Sequence, residues 1–215
     1  MTSADPSSNV GHGEITAVLF DMGGVVVELG PLDELLGAEI PAEAFWPRWL
    51  ASPAVRAFER GHCSVDVFAA GLRDELDLDI TPNEVVERFR RFPRGLFPGA
   101  AAMVSDVRRK VTTGVLSNTN ALHWDTQVDA DRIAGLFDRR YLSYELGLVK
   151  PDAEIFERVL ADLDMAAPNV LFLDDNQVNV DAARAVGLVA HVTQGVAAAS
   201  AALRCHDLLE AEPLH

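Results

Sequence analysis

Polar side chains with the means for phosphate chemistry stand where four apolar runs of this sequence end. In an open α/β fold the carboxyl ends of parallel strands meet at one edge of the sheet, where ligands bind. We therefore predict that these side chains converge in the folded chain. They are Asp21 after residues 15–20, Ser117 and Asn118 at the end of 111–117, Lys150 beyond 140–143, and Asp174 and Asp175 at the end of 169–174.

One lysine, one hydroxyl and three acids are sufficient for phosphoryl transfer. Carboxylate oxygens are ligands for Mg²⁺, which neutralises phosphate charge. An aspartate can attack phosphorus and form an aspartyl-phosphate, while a hydroxyl, backbone N–H groups and a lysine bind the phosphoryl oxygens. Each residue alone has an ordinary explanation as a helix cap, a turn or a solvated lysine. Their combination at successive strand ends is what indicates a site.

Alternating strands and helices must position these residues. Runs rich in Val, Leu, Ile and aromatics predict five strands, and the first and fourth are nearly continuous in apolar residues, as in strands covered on both faces. Helical patterns lie between the later runs, including 152–165 with an apolar face and 179–188 closed by Gly187. This order predicts parallel βαβ units and a doubly wound α/β sheet. The five strands are predicted at 15–20, 111–117, 140–143, 169–174 and 188–192.

The segment 31–98 departs from this alternation, because it contains helix signals and no convincing strand. The helix signals are SPAVRAFERG, SVDVFAAGLRDEL and TPNEVVERFRRF, the last with Thr81 as N-cap and Glu84 three residues later. We predict an inserted α-helical cap domain at 31–98, a core domain formed by 15–30 and 99–215, and a flexible tail at 1–14.

Composition narrows the class of partner. The 215 residues carry a net charge of −15, which disfavours nucleic acid and anionic membrane surfaces. The two cysteines, Cys63 and Cys205, lie far apart in the sequence, as in reduced cytosolic proteins. The polar N-terminus resembles no signal peptide, and no run is long enough to span a bilayer. We expect a cytoplasmic protein that acts on a small phosphorylated metabolite.

Five phrases of the sequence resemble the motifs of one family. They are FDMGGV, LSNTNALH, YLSYELGLVKPDAEIF and FLDDNQVNVDAA, with FERGHCSVDVF in the predicted cap. Together they resemble the haloacid dehalogenase superfamily, in its branch with a helical cap after the first strand, near bacterial sugar-phosphate phosphatases of the α-glucose-1-phosphatase type. The resemblance runs from about residue 15 to 205. It implies an Mg²⁺-dependent hydrolase of phosphate monoesters.

The resemblance also implies a role for each matched position. Asp21 would be the nucleophile and a metal ligand, and Gly23 would offer its main-chain carbonyl to the metal. Ser117 and the Asn118 amide would hold the phosphate, with Lys150 bridging phosphate and Asp21. The late acid pair would complete the metal site, with Asp175 favoured over Asp174 as the direct ligand.

Position 23 departs from the family pattern. Most phosphatases of the superfamily have an aspartate two residues after the nucleophile, acting as general acid and then base, and this sequence has Gly23. General acid–base catalysis contributes a factor of ~10²–10⁴ in rate. A sugar 1-phosphate, with its acidic leaving hydroxyl, would need less help. His123 and His62 are candidates for activating water, although both have ordinary interpretations as surface or helix-start histidines.

Two other functions stay open at this point. A 2-haloacid dehalogenase also lacks the second aspartate and uses the first, but the Asp174–Asp175 pair would then be unexplained. A catalytically weak or inactive binding or scaffold protein is the other alternative, although the rest of the site is intact. A phosphonate-cleaving enzyme is disfavoured, since it needs a cap lysine and residues 31–98 contain none.

The predicted cap offers aromatic and basic side chains that could select a substrate. An aromatic–arginine mixture would suit a sugar or another polar anion, whereas the ordinary interpretation has the tryptophans packing the cap and the arginines solvated. Neither the ester nor the oligomeric state follows from these residues, which are Trp46, Arg48, Trp49, Arg56, Arg60 and His62.

Overall fold

The computed structural model of the protein describes residues 14–37 and 41–210. The predicted tail at 1–14 therefore lies outside the described residues except for Glu14. Among these described residues, no helix is long and apolar enough to cross a membrane.

A five-stranded parallel sheet forms the centre of the molecule, in the order β5-β4-β1-β6-β7. All four residues of β1 and all five of β6 are buried, as expected for central strands covered on both faces. The predicted strands are thus confirmed to within one or two residues at each end. Their bounds are β1 Ala17–Phe20, β4 Thr112–Ser117, β5 Arg139–Leu142, β6 Val170–Asp174 and β7 Val189–Val192.

Helices cover both faces of this sheet, which confirms the doubly wound α/β fold. On one face pack α6 (Ala100–Arg108), α7 (Ala121–Thr126), α8 (Ala130–Leu136) and α12 (Gly195–Cys205). On the other pack α10 (Ala153–Leu163) and α11 (Gln177–Val186), and α10 buries Ile155, Phe156 and Val159 of the predicted apolar face. Gly187 ends α11 with φ 101°, a left-handed conformation that glycine adopts without strain. Two short elements complete this part: α9 (Ser143–Leu146) and a 3₁₀ turn (Ala167–Asn169).

Within the described residues, five helices form an insertion between β1 and β4. They share an apolar cluster of their own, built largely from phenylalanine and leucine. The predicted capping box is present, with the Glu84 N–H donating to Thr81 Oγ1 and the Thr81 N–H donating to the Glu84 carboxylate. The division into domains at residues 31 and 98 stays a prediction. The helices are α1 Leu32–Leu36, α2 Ala42–Ala51, α3 Pro53–Glu59, α4 Val65–Leu76 and α5 Pro82–Arg91.

The expectation of no strand within 31–98 was wrong. Two short antiparallel strands, β2 (Val27–Leu29) and β3 (Pro93–Leu96), connect the insertion to the sheet domain. Pro93 and Gly95 both disfavour strands in isolation, and Gly95 adopts φ 103°. The pairing with β2 supplies the backbone partners that the local sequence does not signal.

Candidate active site

The register of the sheet brings the predicted residues of three strands to one edge. β1 lies between β4 and β6, and Phe20 pairs with Val115 on one side and Leu173 on the other. The next residue, Asp21, donates its N–H to the Leu173 carbonyl at 2.7 Å and so lies beside Asp174. Parallel pairing places Ser117, the last residue of β4, on the other side of Asp21.

Lys150 joins the acids of this edge. Its Nζ donates to Asp21 Oδ1 at 2.8 Å, to Asp174 Oδ2 at 2.6 Å and to the Leu116 carbonyl at 3.1 Å. The Lys150 side chain is 1% exposed and that of Asp174 is 0% exposed. Burial alone lowers a lysine pKa, but the charges of Asp174 and Asp21 outweigh it and raise the pKa of Lys150 above its ordinary value. The lysine therefore stays protonated.

Asn118 fixes the position of Lys150. Its carboxamide donates to the Lys150 carbonyl at 2.9 Å and accepts from the Lys150 N–H at 2.8 Å. The side chain of Asn118 is thus engaged by the chain that carries the lysine. Phosphate binding by this residue, which stays a prediction, would use its backbone N–H.

Asp174 and Asp175, the two acids at the end of β6, have different surroundings. Asp174 Oδ1 accepts from the Asn176 N–H at 2.8 Å and from Asn179 Nδ2 at 3.1 Å, while Oδ2 accepts from Lys150. Asp175 is partly exposed and lines the cavity above the sheet edge. Because the Asp174 carboxylate is occupied by three donors, the geometry supports the prediction that Asp175 is the direct metal ligand.

The donor set at this edge fits a divalent cation. Asp21, Asp174 and Asp175 each offer a carboxylate oxygen within 4.8 Å of the others. Three carboxylates against one ammonium leave two uncompensated negative charges, and burial raises the pKa of Asp21 to about 8 even though Lys150 opposes the rise. Burial and the nearby Asp174 raise the pKa of Asp175 to about 6. A hard cation with a charge of +2, such as Mg²⁺, would balance the cluster.

Gly24 makes room for Asp175. Its φ is +74°, and a Cβ on this residue would lie 2.1 Å from Asp175 Oδ2. Its N–H donates to the Val27 carbonyl and its carbonyl accepts from the Gly195 N–H, so the turn is held from both sides. Of the two glycines that follow Asp21, Gly24 is therefore the one whose backbone conformation and closeness to Asp175 require a glycine. Gly23 lines the cavity, and the use of its carbonyl as a metal ligand stays a prediction.

Gly24→Ala should displace Asp175 and weaken metal binding. We expect Mg²⁺ affinity to fall by about 10- to 100-fold, and the left-handed conformation to destabilise the variant by about 1–2 kcal/mol. Isothermal titration with Mg²⁺ and urea unfolding would measure the two effects. Gly135→Ala is the matched control, because Gly135 lies at an exposed position of α8 and a Cβ there would meet nothing within 4 Å. Unchanged Mg²⁺ affinity in Gly24→Ala would contradict this account of the turn.

A cavity of about 390 Å³ lies above the sheet edge, between it and the helical insertion. Its floor contains Asp21, Ser117, Asn118 and Lys150. The opposite wall comes largely from the insertion and is apolar with one exception, the carboxyl of Glu59. The residues of that wall are Trp46, Trp49, Leu50, Glu59, Phe89, Phe92 and Pro93.

The aromatic–arginine mixture proposed for substrate selection is not what this wall presents. Trp46 and Trp49 do line the cavity, and Trp49 also packs in the insertion's apolar cluster. The arginines act elsewhere: Arg56 and Arg60 bind Asp152 at 2.7 and 2.5 Å, and Arg48 donates to the Glu75 carbonyl. The guanidinium groups of Arg56 and Arg60 connect the insertion to the sheet domain, and that of Arg48 connects two helices of the insertion.

The comparison with protein families agrees with this geometry. The model of the haloacid dehalogenase-like hydrolases matches residues 15–187, most of the chain. The protein belongs to this family. It is therefore an enzyme of the hydrolase class.

Curated relatives of this haloacid dehalogenase-like hydrolase are named as phosphatases. A sesquiterpene phosphatase of Aspergillus oryzae is 32% identical over 192 residues, covering 84% of this chain and 91% of the relative. A D-ribitol-5-phosphate phosphatase of Bacteroides thetaiotaomicron is 26% identical over 184 residues, covering 80% and 89%. Both similarities span the sheet domain and the insertion.

A solved structure shares the fold. It is a family enzyme from Bacteroides thetaiotaomicron in complex with magnesium and inorganic phosphate, 22% identical, with a TM-score of 0.65. The match covers 84% of this chain and 94% of that one.

The two histidine candidates occupy different places in this hydrolase. His123 lies in the first turn of α7, where it is buried and lines the cavity. Its Nε2 is 2.6 Å from the Phe89 carbonyl. Burial lowers the pKa of His123 to about 4, although the Phe89 carbonyl opposes this change. His62 is exposed. The structure thus brings His123 to the site and leaves His62 at the surface.

Sequence reasoning missed Asn179 and Glu59. Asn179 lies in the first turn of α11 and donates to both oxygens of Asp174 at 3.1 Å; its position five residues after Asp174 was the available signal. Glu59 ends α3 and is buried. Its spacing from Val55 and Phe58 places it on the apolar face of that helix, which is where a functional acid would stand out.

Proposed function

We propose that the protein is an Mg²⁺-dependent phosphatase that hydrolyses a small phosphate monoester, a sugar phosphate being favoured, through an aspartyl-phosphate on Asp21. One observation supports this most: the Lys150 ammonium binds the nucleophile candidate Asp21 within a group of three acids, two of them buried, on the floor of a cavity. The phosphatases among its relatives support the reaction class.

Each residue has a place in the proposed reaction. Lys150 holds Asp21 Oδ1, which leaves the other carboxylate oxygen to attack phosphorus. Ser117 Oγ, the Asn118 N–H and the Lys150 ammonium bind the phosphoryl oxygens. Asp21, Asp175, the Gly23 carbonyl and Asp174 would hold Mg²⁺, with Asp174 acting largely through Lys150. When bound, Mg²⁺ neutralises phosphate charge and so lets the anionic nucleophile approach.

In this proposal, the apolar wall selects the substrate by the alcohol to which its phosphate is attached. The faces of Trp46 and Trp49 can contact the C–H surface of a sugar. The same wall also suits an apolar alcohol such as a terpenoid, and this second substrate class is favoured by the aromatic lining together with the sesquiterpene phosphatase relative. The free cysteines fit the proposed cytoplasmic location.

Phosphate release from a panel of esters would test this proposal. The panel contains sugar phosphates, an isoprenyl monophosphate and p-nitrophenyl phosphate, each with Mg²⁺ and with EDTA. We expect release that depends on Mg²⁺ and is reduced at least about 100-fold by EDTA, because metal ions supply several kcal/mol of charge stabilisation. Halide release from 2-haloacids that ignores EDTA would show a dehalogenase instead. Neither activity in the folded protein would indicate a binding role.

A further inference from the structure

The proposed reaction lacks a proton donor in its usual place. The leaving oxygen must receive a proton in the first step, and the attacking water must lose one in the second. Gly23 has no side chain to do this, and a Cβ there would lie 3.2 Å from Leu29 Cδ1. A leucine therefore occupies the space beside Gly23, and the proton must come from another part of the cavity.

Two other titratable groups that line the cavity, His123 and Lys150, are already engaged. His123 Nε2 lies 2.6 Å from the Phe89 carbonyl, a contact in which the nitrogen must donate its proton. The ring also packs against Phe89 with centroids 4.0 Å apart, so this histidine connects α7 to α5. Lys150 donates to two acids and a carbonyl.

In-line displacement requires the proton donor to lie on the wall opposite Asp21. The nucleophile Asp21 approaches phosphorus from the floor, so the leaving oxygen departs toward the insertion. In the second step water attacks from that same side. Among the described residues that the insertion contributes to the cavity, Glu59 is the only one with a titratable side chain.

The structure also fixes Glu59 at this place. It is 7% exposed and ends α3, on the same face as the buried Val55. Arg56 and Arg60 of this segment bind Asp152, two residues after Lys150. The ion pairs hold the end of α3 over the floor of the site.

We propose that Glu59 is the general acid and general base of this enzyme, in place of the aspartate absent at position 23. This inference rests on the proposed phosphatase function. In the first step Asp21 forms a bond to phosphorus, the bond from phosphorus to the alcohol oxygen breaks, and that oxygen takes the proton of the Glu59 carboxylic acid. In the second step water bonds to phosphorus, its proton passes to the Glu59 carboxylate, and the bond to Asp21 breaks with its electron pair returning to Asp21. Glu59 ends protonated, as it began.

The electrostatic setting of Glu59 suits both steps. Burial raises the pKa of its carboxyl to about 7, a rise opposed by the charges of Lys150 and Arg56 and by interactions with Trp49 and Asn118. Both protonation states are then available near neutral pH, as an acid–base catalyst requires. The other titratable groups that line the cavity are Asp21, His123, Lys150 and Asp175.

Glu59→Gln separates the two proton transfers through the choice of leaving group. p-Nitrophenolate leaves as an anion, so the first step should stay fast and the second should become limiting. We expect a burst of p-nitrophenolate close to one per enzyme, a steady state slowed by about 10²–10⁴-fold, and accumulated aspartyl-phosphate. With a sugar or isoprenyl phosphate the first step also needs the proton, so turnover should fall by a similar factor without a burst.

Controls make the outcomes distinct. Glu43→Gln changes an exposed acid of the insertion and should leave turnover unchanged, while Glu59→Asp keeps a carboxyl and should recover part of the activity if Glu59→Gln does not fold. Loss of p-nitrophenyl phosphate turnover in Glu59→Gln without a burst of p-nitrophenolate would assign Glu59 a structural role and overturn the inference while the phosphatase stands. Absence of phosphate release by the wild-type protein would overturn both.

Discussion

Asp21→Asn should abolish phosphate release, with a loss of at least about 10⁴-fold, because the proposed covalent intermediate forms on the Asp21 carboxylate, which asparagine lacks. Losses of this size are typical when the nucleophile is removed. The assay is phosphate release with Mg²⁺ from whichever panel substrate the wild-type protein hydrolyses best. Trapping of a phosphorylated protein, present in the wild type and absent in the variant, would identify the bond that forms.

Folding is not expected to suffer in Asp21→Asn. The substitution removes one of three crowded acids, and Lys150 keeps its 2.6 Å hydrogen bond to Asp174. Thermal unfolding should therefore show a stability equal to or above that of the wild type. Asp131→Asn, at an exposed position of α8, is the matched control for activity. Substantial phosphate release by a folded Asp21→Asn variant would refute the aspartyl-phosphate mechanism.

Lys150→Met should cost both stability and activity. The substitution leaves Asp174, at 0% exposure, and Asp21 without their cationic partner. Breaking a buried ion pair by removing one member destabilises by about 3–5 kcal/mol, and we expect a loss of this size in urea unfolding without added metal. Phosphate release should be lost as well, since the same ammonium positions the nucleophile.

The pH dependence of this loss has a defined sign. As pH falls, Asp21, whose pKa burial raises to about 8, takes up a proton and its uncompensated charge in the variant disappears, so the stability difference from wild type should shrink. Lys110→Met is the control, because Lys110 is exposed and its Nζ bonds only a surface carbonyl, that of Asp207. Its effect should stay within about 0.5 kcal/mol. Equal unfolding midpoints for Lys150→Met and wild type would show that the lysine does not compensate the buried acids.

The fold class, and the residues that line the floor of the cavity, could be predicted from the apolar runs and the residues that follow them. Runs of apolar residues define β1, β4 and β6, and parallel strands place the residues that follow them at one edge. Asp21, Ser117, Asp174 and Asp175 could therefore be assigned without knowing how any side chain packs. Lys150, beyond the third predicted strand, was predicted together with them, and the resemblance implied that it bridges Asp21 and the phosphate. The structure places its Nζ 2.8 Å from Asp21.

Strand β3 shows where local signals were insufficient. Pro93 and Gly95 oppose strand formation, and the segment becomes extended through its pairing with β2 across more than 60 residues of chain. Gly24 and Asn118 are similar cases. No local signal indicates that Gly24 leaves space for Asp175 or that the Asn118 side chain binds the Lys150 backbone, and the structure shows both.

Which residues of the insertion face the cavity could not be predicted without the fold. The sequence offered the tryptophans, arginines and His62 of the insertion as candidates, and the fold turned Trp46, Trp49 and Glu59 toward the cavity. It directed Arg56 and Arg60 to Asp152, a contact between residues more than 90 positions apart. The physical reason is that strand ends are set by local periodicity, whereas the face an inserted helix presents is set by how it packs on a distant part of the chain.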